Sequence, residues 1–200
     1  MGTTIDYYFA VISGFAYLGD TELRSVAKAA GARIVYKPIN IARVFEASGT
    51  VPPARQSDVR RRNRDNELQR WAKRRGLVLN ITPKHWPVPG GLASCAILAA
   101  QELNLDPGLL SFPFLRAVWA DDLDISQPDV VRQIVMESFP DDGERILTAA
   151  GDPTTAAMFD RVTDEAITVG VFGSPTFLID GEMFFGQDRL DFVAERLGVS

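Results

Sequence analysis

Ser13 stands at the seam between a strand-like run, Thr3-Thr4-Ile5-Asp6-Tyr7-Tyr8-Phe9, and an amphipathic run that begins at Phe15. A serine in that place has two roles open to it. It can cap a helix, accepting a backbone N–H that the first turn leaves unpaired. It can also donate its hydroxyl proton to an anion drawn by the positive end of the helix, and a thiolate held there has a lowered pKa. Spacing alone leaves both open. Late in the chain, Gly173-Ser174-Pro175-Thr176-Phe177 puts a proline directly before an apolar run. An ordinary turn proline is trans. A cis bond at Ser174-Pro175, which the position favours, would instead offer the Ser174 backbone to an extended peptide as an added strand.

Other chemistries find few residues to use. A serine hydrolase needs a general base, yet His85 is the only histidine and no G-x-S-x-G stretch occurs. One histidine cannot seed a histidine-rich metal cluster, and no metal is expected. Cys95, the single cysteine, falls in the apolar run Leu92 to Leu103, where a small core residue is the simplest assignment. The segment Lys84-His85-Trp86-Pro87-Val88-Pro89 is rigid and aromatic. It is either a packed loop or a place where His85 and Trp86 wall an aromatic pocket between two structural units.

The net charge of -5 argues against a nucleic-acid partner. The exception is Arg55 to Arg75, with Arg60, Arg61, Arg62 and Arg64 close to Arg70, Lys73, Arg74 and Arg75. Asp58, Asp65 and Glu67 interrupt it, as on a solvated helix face. The sharper alternative turns one or two of these bases into a cleft that takes an anion. No apolar run approaches the ~20 residues that span a bilayer. Met1-Gly2-Thr3-Thr4-Ile5 lacks a basic and an apolar leader region, and a lone cysteine closes no internal disulfide. A cytoplasmic protein with no membrane partner is expected.

The elements that must position these residues read in a simple order. Residues 3 to 11 predict a strand, Phe15 to Ala30 a helix closed by Gly31, and Arg33 to Pro38 a second, parallel strand. The stretch 42–165 is helical in character, with helices at Asp58–Arg75, Leu92–Leu103, Leu109–Trp119, Pro128–Glu137 and Asp141–Ala150. A helix at Thr154–Val169 leads back to two strands around Asp180-Gly181 and a last helix over Gln187–Leu197. The fold class is therefore α/β, with residues 1–41 and 166–200 forming one discontinuous unit and 42–165 an all-helical insertion.

Several stretches together resemble 2-hydroxychromene-2-carboxylate isomerases and the kappa-class glutathione transferases, within the wider thioredoxin-like family of disulfide oxidoreductases. They are Tyr8-Phe9 with Ser13-x-Phe15-Ala16-Tyr17-Leu18, Arg70-Trp71-Ala72 with Gly76-Leu77, His85-Trp86-Pro87, and Gly170 through Leu190. The resemblance covers essentially the whole chain and implies a thioredoxin-like fold with a helical insertion. A redox member carries C-x-x-C where this chain has Ser13-Gly14-Phe15-Ala16. By resemblance, Ser13 is the catalytic serine that holds the sulfur of a glutathione cofactor. Ser174, before a cis Pro175, pairs with the glutathione cysteine, and Gln187 with Asp188 grips the γ-glutamyl end. Phe15, His85 and Trp86 would face an aromatic carboxylate substrate, with Lys37 or a base of the 55–75 helix on its carboxylate. A homodimer is implied, and Phe112, Phe114 and Trp119 either serve its interface or belong to the core. The chain departs from the pattern at Ala10, Gly14, Val51 and Pro89.

The implied activity is a glutathione-dependent cis-trans isomerisation of an aromatic-degradation intermediate. Two alternatives stand beside it: a kappa-like transferase or peroxidase, and a non-catalytic module that binds extended peptides.

Overall fold

The computed structural model describes residues 2–199. Strand β1 (Thr4–Phe9) pairs in parallel with β2 (Arg33–Pro38) across the crossover helix α1 (Gly14–Ala30). Strands β3 (Thr176–Ile179) and β4 (Glu182–Phe185) then extend the sheet antiparallel, in the order β2-β1-β3-β4. The hairpin between them turns on Asp180 (φ 50°) and Gly181 (φ 84°), the two left-handed positions that an Asp-Gly pair supplies most easily.

Side chains alternate across β1, so its aromatic residues divide between two faces. Ile5, Tyr7 and Phe9 join a core with Leu18 and Leu23 of α1. Tyr8 points the other way, onto Ile39, Val44, Ala166 and Val171. The first core does not stop at the sheet. It runs on through Leu68, Ala96, Ile97, Phe114 and Trp119, so the helical stretch shares its apolar interior with the strands.

That stretch contains α2 (Ile41–Ser48), α3 (Asp58–Arg75), α4 (Gly91–Glu102), α5 (Gly108–Trp119), α6 (Pro128–Ser138), α7 (Gly143–Ala150) and α8 (Pro153–Thr168). A 3-10 turn at Gln187–Arg189 leads into α9 (Leu190–Arg196), which packs on α1. The sequence pattern locates these elements to within one or two residues, except α2, which it does not resolve, and α9, whose expected first turn at Gln187–Arg189 is 3-10 rather than α-helical. Phe114 and Trp119 are wholly buried and belong to the core, whereas Phe112 is half-buried and stacks on Tyr17 at 5.5 Å. Cys95 is buried in α4. No helix among the described residues is long and apolar enough to cross a membrane.

Candidate active site

Ser13 is the N-cap of α1, with extended backbone angles and its Oγ accepting the Ala16 N–H at 3.2 Å. The same hydroxyl donates to the Ser174 carbonyl at 3.1 Å. Ser174 answers with its own Oγ, which accepts the Ala10 N–H at 2.9 Å. The Ser174-Pro175 bond is cis. The two ends of the chain therefore meet at Ser174, whose carbonyl and hydroxyl oxygens accept from Ser13 and Ala10 respectively.

The turn before Ser13 is pinned from below. Both Trp86 and Trp119 donate their indole N–H to the Ile12 carbonyl, at 3.0 and 3.1 Å. The Ser13 N–H is committed to Ala10 at 2.9 Å. Gly14 follows because the packing leaves little room for a side chain. A Cβ there would sit 3.0 Å from both Leu68 and Trp119, where ordinary contact is closer to 3.5 Å or more. The glycine at this position thus has a local cause: α3 and α5 press against the first turn of α1.

Above this turn opens a cavity of about 750 Å³, within the range of small-molecule sites. Ser13, Ser174, Phe15 and Trp86 line it. Much of the remaining wall is apolar, including Phe45, Val51, Phe172 and Phe185. Helix α3 contributes Val59, Arg60, Asn63, Arg64 and Glu67, positions that fall on one face at helical spacing. Two of the interrupted run of bases thus face a cleft. Others of that run bind acids elsewhere: Arg61 pairs with Asp58, and Arg75 with Glu22 at 2.5 Å.

Not every residue implied by the resemblance arrives at the cavity. Lys37 is absent from its wall; it pairs with Asp6 at 3.1 Å and Glu165 at 2.6 Å, and lies 3.2 Å from the Tyr8 hydroxyl. Burial works against its charge, but Glu165, Tyr8 and Asp6 outweigh that and hold its pKa above the usual lysine range. His85 also lies outside the cavity wall. Gln187 is buried against Gly19 of α1, whereas Asp188 is exposed and paired with Arg189 at 3.3 Å. Neither lines the cavity.

Helix α2 and the segment after it form a wall that the sequence pattern misses. The signal was present: Asn40 caps α2 by accepting from Ala42 and Arg43, and Gly49 closes it in the left-handed conformation. Thr50 then fastens this segment to the opposite rim by donating to the Phe172 carbonyl at 3.1 Å.

Comparison with known proteins agrees with this architecture. A DSBA-like thioredoxin domain profile matches residues 4–198. The 2-hydroxychromene-2-carboxylate isomerase of Sphingobium xenophagum is 28% identical over 202 residues, covering 98% of this chain and 99% of that protein. The protein of the same name from Pseudomonas putida is 28% identical over 201 residues, covering 97% and 94%. A solved structure of a 2-hydroxychromene-2-carboxylate isomerase superposes with a TM-score of 0.79 at 26% identity, covering 98% of this chain and 94% of that one.

Proposed function

The chain belongs to the DSBA-like thioredoxin domain family, and within it we propose a glutathione-dependent isomerase of 2-hydroxychromene-2-carboxylate or a similar aromatic-degradation intermediate. One observation carries the proposal. A helix N-terminus capped by a serine, rather than a cysteine pair, faces a mainly apolar cavity beside a cis-proline strand. Such a site can stabilise a thiolate but cannot form a disulfide within the chain, since Cys95 is the only cysteine. Relatives at about 28% identity carry the isomerase name.

The donor set suits glutathione. The first turn of α1 directs backbone N–H groups and the positive dipole end toward the place a sulfur would take. Ser174 sits where an extended peptide would add beside β3. Asp188, exposed at the turn before α9 and outside the cavity wall, would meet the γ-glutamyl ammonium only in exchange for its pairing with Arg189. Glutathione would supply a thiolate that adds to the electron-poor alkene and, once the ring C–O bond has opened and the former double bond has turned, departs again, so substrate and product have the same atoms and no oxidant is consumed.

The chain's residues then have definite tasks. The α1 terminus draws the thiol toward its ionised form. Ser13 turns its hydroxyl proton from the Ser174 carbonyl to the sulfur. Phe15 and Trp86 present flat surfaces that orient an aromatic ring and keep water from it. Gly14, under Leu68 and Trp119, fixes the height of the turn.

The test is titration calorimetry with reduced glutathione on the wild type and on Ser13→Ala, followed by turnover of 2-hydroxychromene-2-carboxylate. Expected are binding by the wild type, weaker binding by the variant, and recovery of glutathione unchanged alongside the trans product. Failure to bind at millimolar glutathione would refute the proposal, and glutathione recovered attached to the product would make the protein a transferase.

A further inference from the structure

We infer that Arg64 is the residue that makes this cavity select a planar organic carboxylate over a neutral ring of the same shape. The inference rests on the isomerase reading for the identity of the cavity, and it assigns the substrate's anionic end to one side chain.

Arg64 differs from the arginines around it. Its side chain is only 17% exposed. The one carboxylate within 4 Å of it among the described residues is Asp65, at 3.7 Å and itself 45% exposed, while Glu67 on the same face is taken by Arg70 at 2.5 Å. No hydrogen bond from its guanidinium is formed among the described residues, whereas Arg61 and Arg70 on the same helix are both paired through hydrogen bonds. A guanidinium mostly withdrawn from water, whose unused donors reach only the cavity, is costly unless something replaces the lost water.

Part of the replacement is aromatic. The guanidinium carbon lies 5.2 Å from the Trp86 ring centre, 5.5 Å from Trp119 and 5.9 Å from Phe15. The negative faces of those rings favour a cation, but they accept no conventional hydrogen bond from its edge. Burial also lowers the Arg64 pKa, with Asp65 pulling the other way. What remains is a cation held in place by rings, with its planar fork unfilled, in the wall of the cavity that also holds Ser13.

A carboxylate matches that fork with two parallel hydrogen bonds. Phe15 and Trp86, which hold the guanidinium, are also cavity walls, so a ligand whose carboxylate is coplanar with an aromatic ring would use both features at once. The glycine carboxylate of glutathione is the other anion to weigh. It has no ring to stack, and Arg60, exposed one turn earlier on the same face, can meet it without entering the aromatic cluster.

The experiment uses chromone-2-carboxylate and neutral chromone as probes, with reduced glutathione as a third ligand. Each is titrated into the wild type, Arg64→Met and Arg64→Gln, with thermal melting as the check on folding. The wild type should bind the carboxylate more tightly than chromone. Both variants should lose carboxylate affinity on the order of 10- to 100-fold, the range for a hydrogen-bonded charge pair, while chromone and glutathione affinities hold. Absence of a carboxylate preference in the wild type would overturn the inference whether or not the variants fold. So would a preference that survives in the variants, or a fall confined to glutathione, which would put Arg64 on the glycine carboxylate. A wild type that ignores glutathione yet shows an Arg64-dependent preference would support this inference while refuting the isomerase reading.

Discussion

The Ser13 hydroxyl donates its single proton to the carbonyl of Ser174 at 3.1 Å. A thiolate that recruits Ser13 therefore competes with a neutral acceptor instead of gaining a hydrogen bond outright. The gain is the difference between a charge-assisted and a neutral bond, about 1 kcal/mol, which corresponds to roughly one pKa unit. The thiol of bound glutathione should titrate about one unit lower on the wild type than on Ser13→Ala, as read from the ultraviolet absorbance of the thiolate. Equal values on the two proteins would mean that the helix terminus alone does the work.

Ser174→Ala tests the other half of the pair. Ala10 is buried, and its N–H has the Ser174 hydroxyl as acceptor at 2.9 Å. Leaving that donor unpaired should cost about 1–3 kcal/mol, measurable as a lower urea midpoint with an unchanged slope. A midpoint equal to that of the wild type would show that water satisfies the Ala10 N–H.

Gly14→Ala should be more harmful than an alanine at a helix start ordinarily is. Propensity favours alanine over glycine by up to about 1 kcal/mol. Opposing this, the new Cβ would stand 3.0 Å from Leu68 Cδ2 and Trp119 Cζ2, two groups buried in the core. Overpacking of that kind typically costs about 1–3 kcal/mol. A net fall in melting temperature of a few degrees is the expected result. A rise would mean that Leu68 and Trp119 yield more freely than their burial implies.

The fold was legible wherever one local rule dominated. Gly31 and Gly76 stop their helices, and Asp180-Gly181 turns its hairpin, because left-handed backbone suits few residue types. Ser13 and Ser174 were legible as a pair because strand order brings the ends of the chain together. Lys37 was not: its face of β2 is set by register with β1, and Glu165 lies 128 residues away in sequence. Arg64 was visible only as one base among many. What separates it is three rings from three different segments, and no local pattern encodes their convergence.

Lys37 serves as a structural test because it lies outside the cavity wall. Lys37→Met removes the cation that joins Asp6 to Glu165 and keeps most of the side-chain volume. Glu165 is 45% exposed, so water recovers much of the loss. The expected cost is about 1 kcal/mol, with glutathione and carboxylate affinities unchanged. A specific loss of carboxylate affinity would return Lys37 to the substrate.

Asp20 supplies a pH prediction with a definite sign. It lies fully buried on α1, with Oδ1 accepting from Ser111 at 2.6 Å and Oδ2 without a partner. Burial pushes its pKa up from 3.8 to about 6; the Ser111 bond and the Arg24 charge pull it down, and Asp106 pushes it further up. Tyr7 is raised well above its ordinary value in turn, chiefly by burial and then by the Asp20 charge. The native state thus holds a proton that the unfolded chain releases between pH 3.8 and about 6. Across that window the unfolded state binds fewer protons, so the Asp20 contribution to stability falls as pH rises. The full change is about 3 kcal/mol by pH 7. Asp20→Asn cannot ionise and loses this dependence. The stability of the variant relative to the wild type should therefore climb from pH 4 to pH 6 and level off above pH 7, as followed by urea unfolding at each pH. A constant difference would show that Asp20 keeps an ordinary pKa, and hence that water reaches its unpaired oxygen.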